Sequence, residues 1–169
     1  MNRYQLAKLV SWAECLHTRK RLQKVVFLLK AAGCPLEADF YLHHYGPYSD
    51  EISQLTDDMV RNKMLVETTE PFWNGSRYSY CLTDWIVQQL GEVETTEEGQ
   101  QWRSQLAPFE ACARELLGAD LKELEYASTI VFFRIQGFEW SEAVERAIQF
   151  KHNEAVRNAL PLAQRVVAA

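Results

Sequence analysis

The fold is organised around the stretch HHYGPYSDEI, residues 43–52. Gly46 can adopt backbone angles that are closed to other residues, while Pro47 fixes its own φ and disfavours the helical region for the residue before it. Ser49 is a good helix N-cap, and the two carboxylates that follow it are favourable at the positive end of a helix. The stretch therefore predicts a rigid aromatic turn that starts a helix over about residues 50–62.

Two helices are predicted before this turn, over about residues 3–17 and 19–32, because apolar residues recur there at spacings of three and four. A short aromatic segment, about 38–44, is extended in character. After the third helix, residues 64–69 and 77–82 have strand composition and flank a loop rich in turn residues. Three helices followed by a two-stranded hairpin is the order of a winged-helix domain.

The rest of the chain is predicted to be helical. Its helices are expected at about 96–117, at about 120–136, from Ser141 onwards, and at about 153–167. The first two are opened by the capping patterns Thr95-x-x-Glu98 and Asp120-x-x-Glu123. The predicted fold class is thus mainly α, with a winged-helix-like N-terminal domain at 1–90 and a helical subdomain at 91–169. We expect the helical part to pack against the hairpin side or to form a dimer interface.

Length and composition suit a folded protein, since 169 residues with 47% hydrophobic content can build a core. Ten Lys/Arg balance ten Asp/Glu in residues 1–90, so the net charge of −5 arises entirely in residues 91–169. Only the N-terminal half could therefore present a basic face to nucleic acid. The four cysteines are far apart and without paired spacing, which predicts reduced, buried thiols in a cytoplasmic protein. No run has the length of a membrane span.

A basic cluster near the start of the second helix is the first candidate site. Nucleic-acid contacts are predicted for Arg19, Lys20, Arg21, Lys24 and Arg77. In one interpretation these side chains bind phosphates of duplex DNA. In the other they are simply the solvated faces of amphipathic helices, which is the commoner use of such charges.

The third helix points to a different partner. Its exposed side carries four carboxylates, which a phosphate-lined groove would repel. A basic protein partner fits this side better, and the tyrosines of the turn suit the same kind of contact. Phe72 and Trp73 at the hairpin tip either form an exposed apolar contact point for a partner or fold back onto the helical half. The candidate partner-binding residues are Tyr45, Tyr48, Asp50, Gln54, Asp57, Asp58, Phe72 and Trp73.

Catalytic and metal motifs are not apparent in the sequence. The adjacent histidines His43 and His44 would point to opposite faces of an extended segment and cannot easily bind one ion. No nucleophile motif, phosphate-binding glycine loop or carboxylate pair beside a histidine is present. We therefore predict a non-enzymatic protein without metal or cofactor.

Four segments carry a resemblance to a known family. They are RLQKVVFLL (21–29), YGPYSDEI (45–52), YCLT (80–83) and LEYASTI (124–130). In these segments, which span about 110 residues, the chain resembles the YwgA-like family of bacterial proteins. It also resembles, more loosely, Panacea-type antitoxin domains. The resemblance implies no catalytic residues. Through the Panacea relation it implies a toxin as a protein partner.

Two classes of function follow from these observations. The first is a protein-interaction or antitoxin-like regulatory module that uses the acidic turn and third helix. The alternative is a DNA-binding regulator that contacts phosphates through its second helix and hairpin. Both are compatible with a homodimer, and neither involves a membrane.

Overall fold

The computed structural model describes residues 1–72 and 75–168, which are mainly helical. The N-terminal half contains α1 (Arg3–Ala13), β1 (Cys15–His17), α2 (Arg19–Ala31), β2 (Tyr41–His43), β3 (Gly46–Tyr48), α3 (Asp50–Arg61), β4 (Leu65–Phe72), β5 (Gly75–Leu82) and α4 (Asp84–Val93). The C-terminal half contains α5 (Glu97–Leu106), a 3₁₀ turn (Ala107–Phe109), α6 (Glu110–Gly118), α7 (Leu121–Ile135), α8 (Trp140–Lys151), a second 3₁₀ segment (Glu154–Ala159) and α9 (Leu160–Ala168).

The strands form two small antiparallel sheets. One has three strands in the order β1-β5-β4, and the other is the two-stranded pair β2-β3. β1 was not foreseen, because the first helix was predicted to continue to residue 17. That helix ends at Ala13, since Glu14 takes a φ of 60°, in the left-handed region that interrupts a right-handed helix. The residues that follow pair with β5.

The prediction that all four cysteines are reduced is wrong for one pair. Cys15 on β1 and Cys81 on β5 are bonded in a disulfide, with Cα atoms 4.5 Å apart in directly facing positions. They are separated by 66 residues, so their spacing alone gave no sign of this pairing. Cys34 is a buried free thiol and Cys112 a half-buried one, as the sequence predicts.

The C-terminal helices also differ from the prediction in their limits. The helix expected at 96–117 is interrupted by the 3₁₀ turn, which has a proline in its first turn. The N-cap of α5 is Thr96, whose side chain accepts a hydrogen bond from the Gly99 N–H. The capping pattern predicted to begin at Thr95 is therefore one residue too early. α8 begins at Trp140 with Glu139 as its N-cap, not with Ser141.

The cap at the start of α7 agrees with the prediction. The Asp120 side chain accepts hydrogen bonds from the backbone N–H groups of Lys122 and Glu123. The final segment, predicted as one helix over 153–167, consists of the second 3₁₀ segment followed by α9.

The helical half packs chiefly against α1 and α2, so the expectation that it packs against the hairpin side is wrong, while the alternative of a dimer interface stays a prediction. α7 lies at the centre, in contact with α2, α8 and α9, while α6 packs on α1 and α2. The reason is visible in α2 and α7, because residues 22–29 and 124–131 are buried without interruption. A helix that is buried on every side needs neighbours all round. One continuous core therefore includes both halves.

A bilayer span would need a long apolar helix, and none occurs in residues 1–72 or 75–168.

Candidate functional site

The most distinctive local feature is the aromatic hairpin, which we define as residues 41–48 (β2, β3 and the residues between them). Tyr41 faces Tyr48 across the pair, and His43 faces Gly46. Gly46 has a φ of 93°, and a Cβ atom there would lie 2.8 Å from Oγ1 of Thr129 on α7. Glycine is therefore needed at position 46 for its backbone angle and for the close approach to α7.

Helix α2 holds this hairpin through two buried polar side chains. The Gln23 amide donates to the Ser49 carbonyl at 2.9 Å and accepts from the Ser49 N–H at 2.8 Å. The Gln23 side chain thus pairs with the Ser49 backbone in the way that a residue of a neighbouring β-strand would. The Lys24 ammonium, only 1% exposed, donates to the Pro47 carbonyl at 2.6 Å. Buried backbone groups require such partners, so α2 fixes the hairpin in position.

Helices α7 and α8 hold the hairpin from the other side. The buried Glu125 carboxylate pairs with Lys151 at 2.8 Å and with Lys20 at 3.3 Å. Lys151 also donates to the His44 carbonyl at 3.2 Å. Oγ1 of Thr129, the atom nearest Gly46, donates to the Glu125 carbonyl at 2.7 Å. We call Gln23, Lys24, Glu125, Thr129 and Lys151 the polar mount.

Charges within the polar mount shift each other's ionisation. Burial alone would raise the pKa of the Glu125 carboxyl, but the hydrogen bond from Lys151 and the surrounding ammonium charges lower it below its ordinary value. Burial, followed by the neighbouring Lys151 charge, lowers the pKa of Lys24 to about 7, against a smaller opposing effect of Glu125. Lys24 is thus the group in the mount that titrates near neutral pH.

We expect Lys24 to make stability rise with pH above about 7. An unfolded lysine keeps its proton up to a pKa of 10.5, whereas folded Lys24 loses it near 7. Between these values the unfolded chain binds more protons, so rising pH favours the folded state by about 1.4 kcal/mol per pH unit. Urea unfolding of the wild type and of Lys24→Met from about pH 6 to pH 9 measures this contribution. Identical pH slopes in the two proteins would contradict it.

The start of α3 differs from the prediction in its cap. Ser49 is the N-cap residue, but its side chain makes no capping hydrogen bond and its hydroxyl is buried without a partner among the described residues. The backbone of Ser49 is instead held by Gln23. The acidic side chains Asp50 and Glu51 do occupy the first turn of α3.

Two of the four α3 carboxylates are engaged in ion pairs. Asp57 pairs with Arg19 at 2.6 Å, and Asp58 pairs with Arg3 at 2.7 Å. Asp50 and Gln54 are exposed on the first part of the helix, next to the hairpin. The other two carboxylates, Asp50 and Glu51, lie in the first turn of α3, where Glu51 accepts a hydrogen bond from the Asp39 N–H.

The outer face of the hairpin consists of aromatic rings. Tyr41 and Tyr45 are exposed by 46% and 49%, and Tyr48 is half-buried. The rings of Tyr41 and His43 pack on Tyr48, with centroids 5.9 Å and 5.5 Å away. The Lys20 ammonium lies 3.7 Å from the centroid of the Tyr45 ring, which suits a cation–π contact.

All five nucleic-acid candidates make contacts within the protein. Arg19 donates to Glu67 and to the Tyr80 hydroxyl, and Arg21 donates to the carbonyls of residues 117 and 119. Lys24 is buried in the mount, and Lys20 pairs with Glu125. Arg77 pairs with Glu70 on the neighbouring strand at 2.7 Å. The basic cluster thus holds elements together.

The tip of the β4-β5 hairpin carries the last two partner candidates. Phe72 is half exposed, and the Arg77 guanidinium lies 5.9 Å from the centroid of its ring. Trp73 lies outside the described residues.

A cavity of about 150 Å³ lies between α2, α3 and the aromatic hairpin. Its lining includes three cationic side chains, and around them are tyrosine, glutamine, serine and threonine. The lining residues are Arg19, Lys20, Leu22, Gln23, Lys24, His43, Tyr45, Tyr48, Ser53 and Thr56. As for metals, residues 1–72 and 75–168 contain no group of three or more His, Cys, Asp or Glu side chains placed to hold an ion.

Comparison with known proteins gives a distant relative. No protein-family model matches the chain. The chain is similar to the uncharacterized protein YwgA of Bacillus subtilis (strain 168), with 24% identity over 140 residues, 83% of this chain and 78% of YwgA. This distant similarity supports a YwgA-like family. Three of the four segments of the YwgA-like resemblance, 21–29, 45–52 and 124–130, meet at the polar mount, which gives them a structural role.

Glu125 and Lys151 were missed as site residues by the sequence analysis. α7 is rich in apolar residues all round from Tyr126 to Phe133, the mark of a helix enclosed by others. A carboxylate at the edge of such a stretch must find buried cationic partners. That signal could have identified Glu125, but nothing local to Lys151 connects it with the turn.

Proposed function

We propose that the protein is a non-enzymatic interaction module that binds a protein partner through the aromatic hairpin and the exposed start of α3. The observation that carries this proposal is the combination of exposed rings with a buried polar mount. Aromatic side chains on a rigid support lose little conformational entropy when they bind, and such side chains dominate protein interfaces.

We also propose that the chain has two organisational units, residues 1–90 and 91–169, and that the first is a winged-helix arrangement. The support is the order α1-β1-α2-α3-β4-β5, with the β2-β3 pair inserted between α2 and α3, together with the pairing of β1 with β5. In this arrangement α3 would be the presented helix, and β4-β5 would be the wing.

Charge supports a protein partner over duplex DNA. The cations that would contact phosphates already donate to acceptors inside the protein, and each would have to leave them to bind DNA. Next to the hairpin, the side chains of Asp50 and Gln54 offer acceptors for a partner with basic groups. As part of the same proposal, the resemblance to Panacea-type antitoxin domains suggested by the sequence makes a toxin the first partner class to test, and the location is cytoplasmic.

Tyr48→Ala is expected to weaken partner binding by about 30-fold or more, the effect of losing a central aromatic contact. Asp50→Lys should weaken binding to a basic partner as well. The experiment captures partners on the immobilised full-length chain and then measures the affinity of the purified partner for each variant. Tyr78→Ala, which removes an exposed tyrosine (44%) from β5, is the control and should bind as the wild type does.

Two outcomes would contradict this proposal. One is equal binding by wild type, Tyr48→Ala and Asp50→Lys. The other is tight binding of duplex DNA at low salt that weakens steeply as salt is added, because that dependence reports phosphate contacts and favours the DNA-binding alternative. Loss of that DNA binding in Lys20→Gln would assign it to the basic cluster.

A further inference from the structure

We propose that the Cys15–Cys81 disulfide is a site of reversible exchange with a small thiol, which forms a mixed disulfide with Cys15. This inference goes beyond the proposed function and does not depend on it. The bridge joins facing positions of β1 and β5, and both cysteines are half-buried. Exchange requires access to one of the two sulfur atoms, so the surroundings of each cysteine decide where it occurs.

A cavity of about 360 Å³ gives access to Cys15. It lies between α1, β1, α2 and α6, and Cys15 is part of its lining, whereas Cys81 is not among the described residues that line it. Its volume is within the range of roughly 300–1,000 Å³ that is typical of small-molecule sites. A thiol that enters this cavity therefore reaches Cys15 and not Cys81.

The charge of the cavity favours a thiolate, which is the nucleophilic form of a thiol. Arg21 and Arg114 line the cavity, and its described lining residues include no carboxylate side chain. Arg114 is paired with Glu110 at 2.8 Å. Arg21 instead donates to two backbone carbonyls at the end of α6, and Asp120 acts on it electrostatically without an ion pair within 4 Å. The guanidinium charge of Arg21 thus remains to stabilise a thiolate in the cavity.

The exchange consists of two balanced steps. The entering thiolate attacks Sγ of Cys15 and forms a new S–S bond, while the old bond breaks with its electron pair on Sγ of Cys81, which takes up a proton. A second small thiol then attacks the small-molecule sulfur of the mixed disulfide and releases Cys15 as a thiol. The protein gains two thiols by reduction, and two small thiols are oxidised to one disulfide. The reverse sequence, starting from that small disulfide, restores the bridge.

We expect reduction to loosen β1. This strand has three residues, and it lies between Glu14 with a φ of 60° and Thr18 with a φ of 73°, a region that non-glycine residues rarely occupy. Apart from the bridge and the strand pairing, the segment is attached to β5 by the contact of His17 with Ser79 and by the Thr18 N–H, which donates to a β5 carbonyl. Thr18 is also the N-cap of α2, so the first turn of α2 should loosen with β1.

Reduced glutathione is the probe for this site. The native full-length chain is incubated with millimolar glutathione at about pH 8, where more of the thiol is ionised, and the cysteines are trapped and mapped by mass spectrometry. The bridge should open without denaturant, with glutathione found on Cys15 and not on Cys81, and it should close again in oxidised glutathione. Hydrogen exchange of the β1 amides should then be faster by about tenfold or more in the reduced protein, with the β4 amides unchanged.

Two variants compare the cysteines directly. Oxidised glutathione should modify Cys15 in Cys81→Ser at least about tenfold faster than it modifies Cys81 in Cys15→Ser. Cys112 is the control within the same molecule, because it is a half-buried free thiol that is not among the described lining residues. Burial raises the pKa of the Cys112 thiol, so in Cys81→Ser it should react at least about tenfold more slowly than Cys15.

Three results would overturn the proposal. The first is a bridge that glutathione opens only at urea concentrations that unfold the chain, since the disulfide would then be inaccessible in the native protein. The second is glutathione on Cys81 or Cys112 as fast as on Cys15, because the cavity would then not direct the exchange. The third is unchanged hydrogen exchange of β1 after reduction. If either serine variant fails to fold, mapping of the wild-type mixed disulfide still decides.

Discussion

Glu125→Gln is expected to lower the free energy of unfolding by about 3–5 kcal/mol, as when one partner of a buried ion pair is removed. The carboxylate has a side-chain exposure of 4% and pairs with Lys151, whose side-chain exposure is 6%. Glutamine preserves the shape but removes the charge, so the Lys151 ammonium stays buried without its counter-ion. Lys20 also pairs with Glu125, and Lys151 donates to the His44 carbonyl. We therefore expect the aromatic hairpin to be held less firmly in this variant.

Urea unfolding at pH 7 measures this loss, with Glu142→Gln as the control. Glu142 pairs with Arg146 on the exposed side of α8, and its replacement should cost at most about 0.5 kcal/mol. The pKa of Glu125 is lowered in the folded state, so its contribution is present above its unfolded pKa of about 4.5 and fades as pH falls below that value. The wild type and Glu125→Gln should therefore converge in acid. A loss below about 1 kcal/mol at pH 7 would show that Glu125 is not central to the polar mount.

Gly46→Ala is expected to cost about 2–5 kcal/mol. Part of the loss is strain, because an L-residue with a positive φ costs about 1–2 kcal/mol. The rest is overpacking, since the new methyl group would lie 2.8 Å from Thr129 Oγ1 and 3.5 Å from the Glu125 carbonyl oxygen, and overpacking typically costs about 1–3 kcal/mol.

Gly33→Ala separates these two contributions. Gly33 has the same φ of 93° but nothing within 4 Å of the position its Cβ would occupy. It should therefore show the strain alone, about 1–2 kcal/mol. Urea unfolding measures the free energy of unfolding of both variants. Equal decreases would mean that the close contact between the hairpin and α7 relaxes around the new methyl group at no cost in stability.

The sequence predicted α2 and α3 well because their apolar periodicity is strong and their ends carry clear signals, whereas the end of α1 was placed four residues too late. The turn at Gly46 and Pro47 was found for the same reason, since backbone restriction acts locally. β1 was missed because three residues after a helix have no pattern of their own, and they become a strand only through pairing with β5. The Cys15–Cys81 bridge depends on that same long-range pairing.

The site was predicted less completely than the fold. The hairpin tyrosines and the α3 carboxylates were proposed as partner-binding residues from their expected exposure on local elements, and that role stays a prediction. The roles of Lys20 and Lys24 were interpreted as solvated or phosphate-binding, because a charge pattern along one helix contains no information about acceptors on another. Those acceptors lie 23 residues away for Lys24 and 105 residues away for Lys20. Only tertiary packing brings them together.

The bond between Cys15 and Cys81 has a mechanical consequence. It joins β1 directly to β5, so tension applied to the two ends of the chain passes across the bridge. α2, the aromatic hairpin and α3 all lie inside the covalent ring that it closes. While the bridge is intact, stretching can extend the termini and the C-terminal helices, but the covalent path of the pull bypasses the chain between residues 15 and 81, which cannot be drawn out.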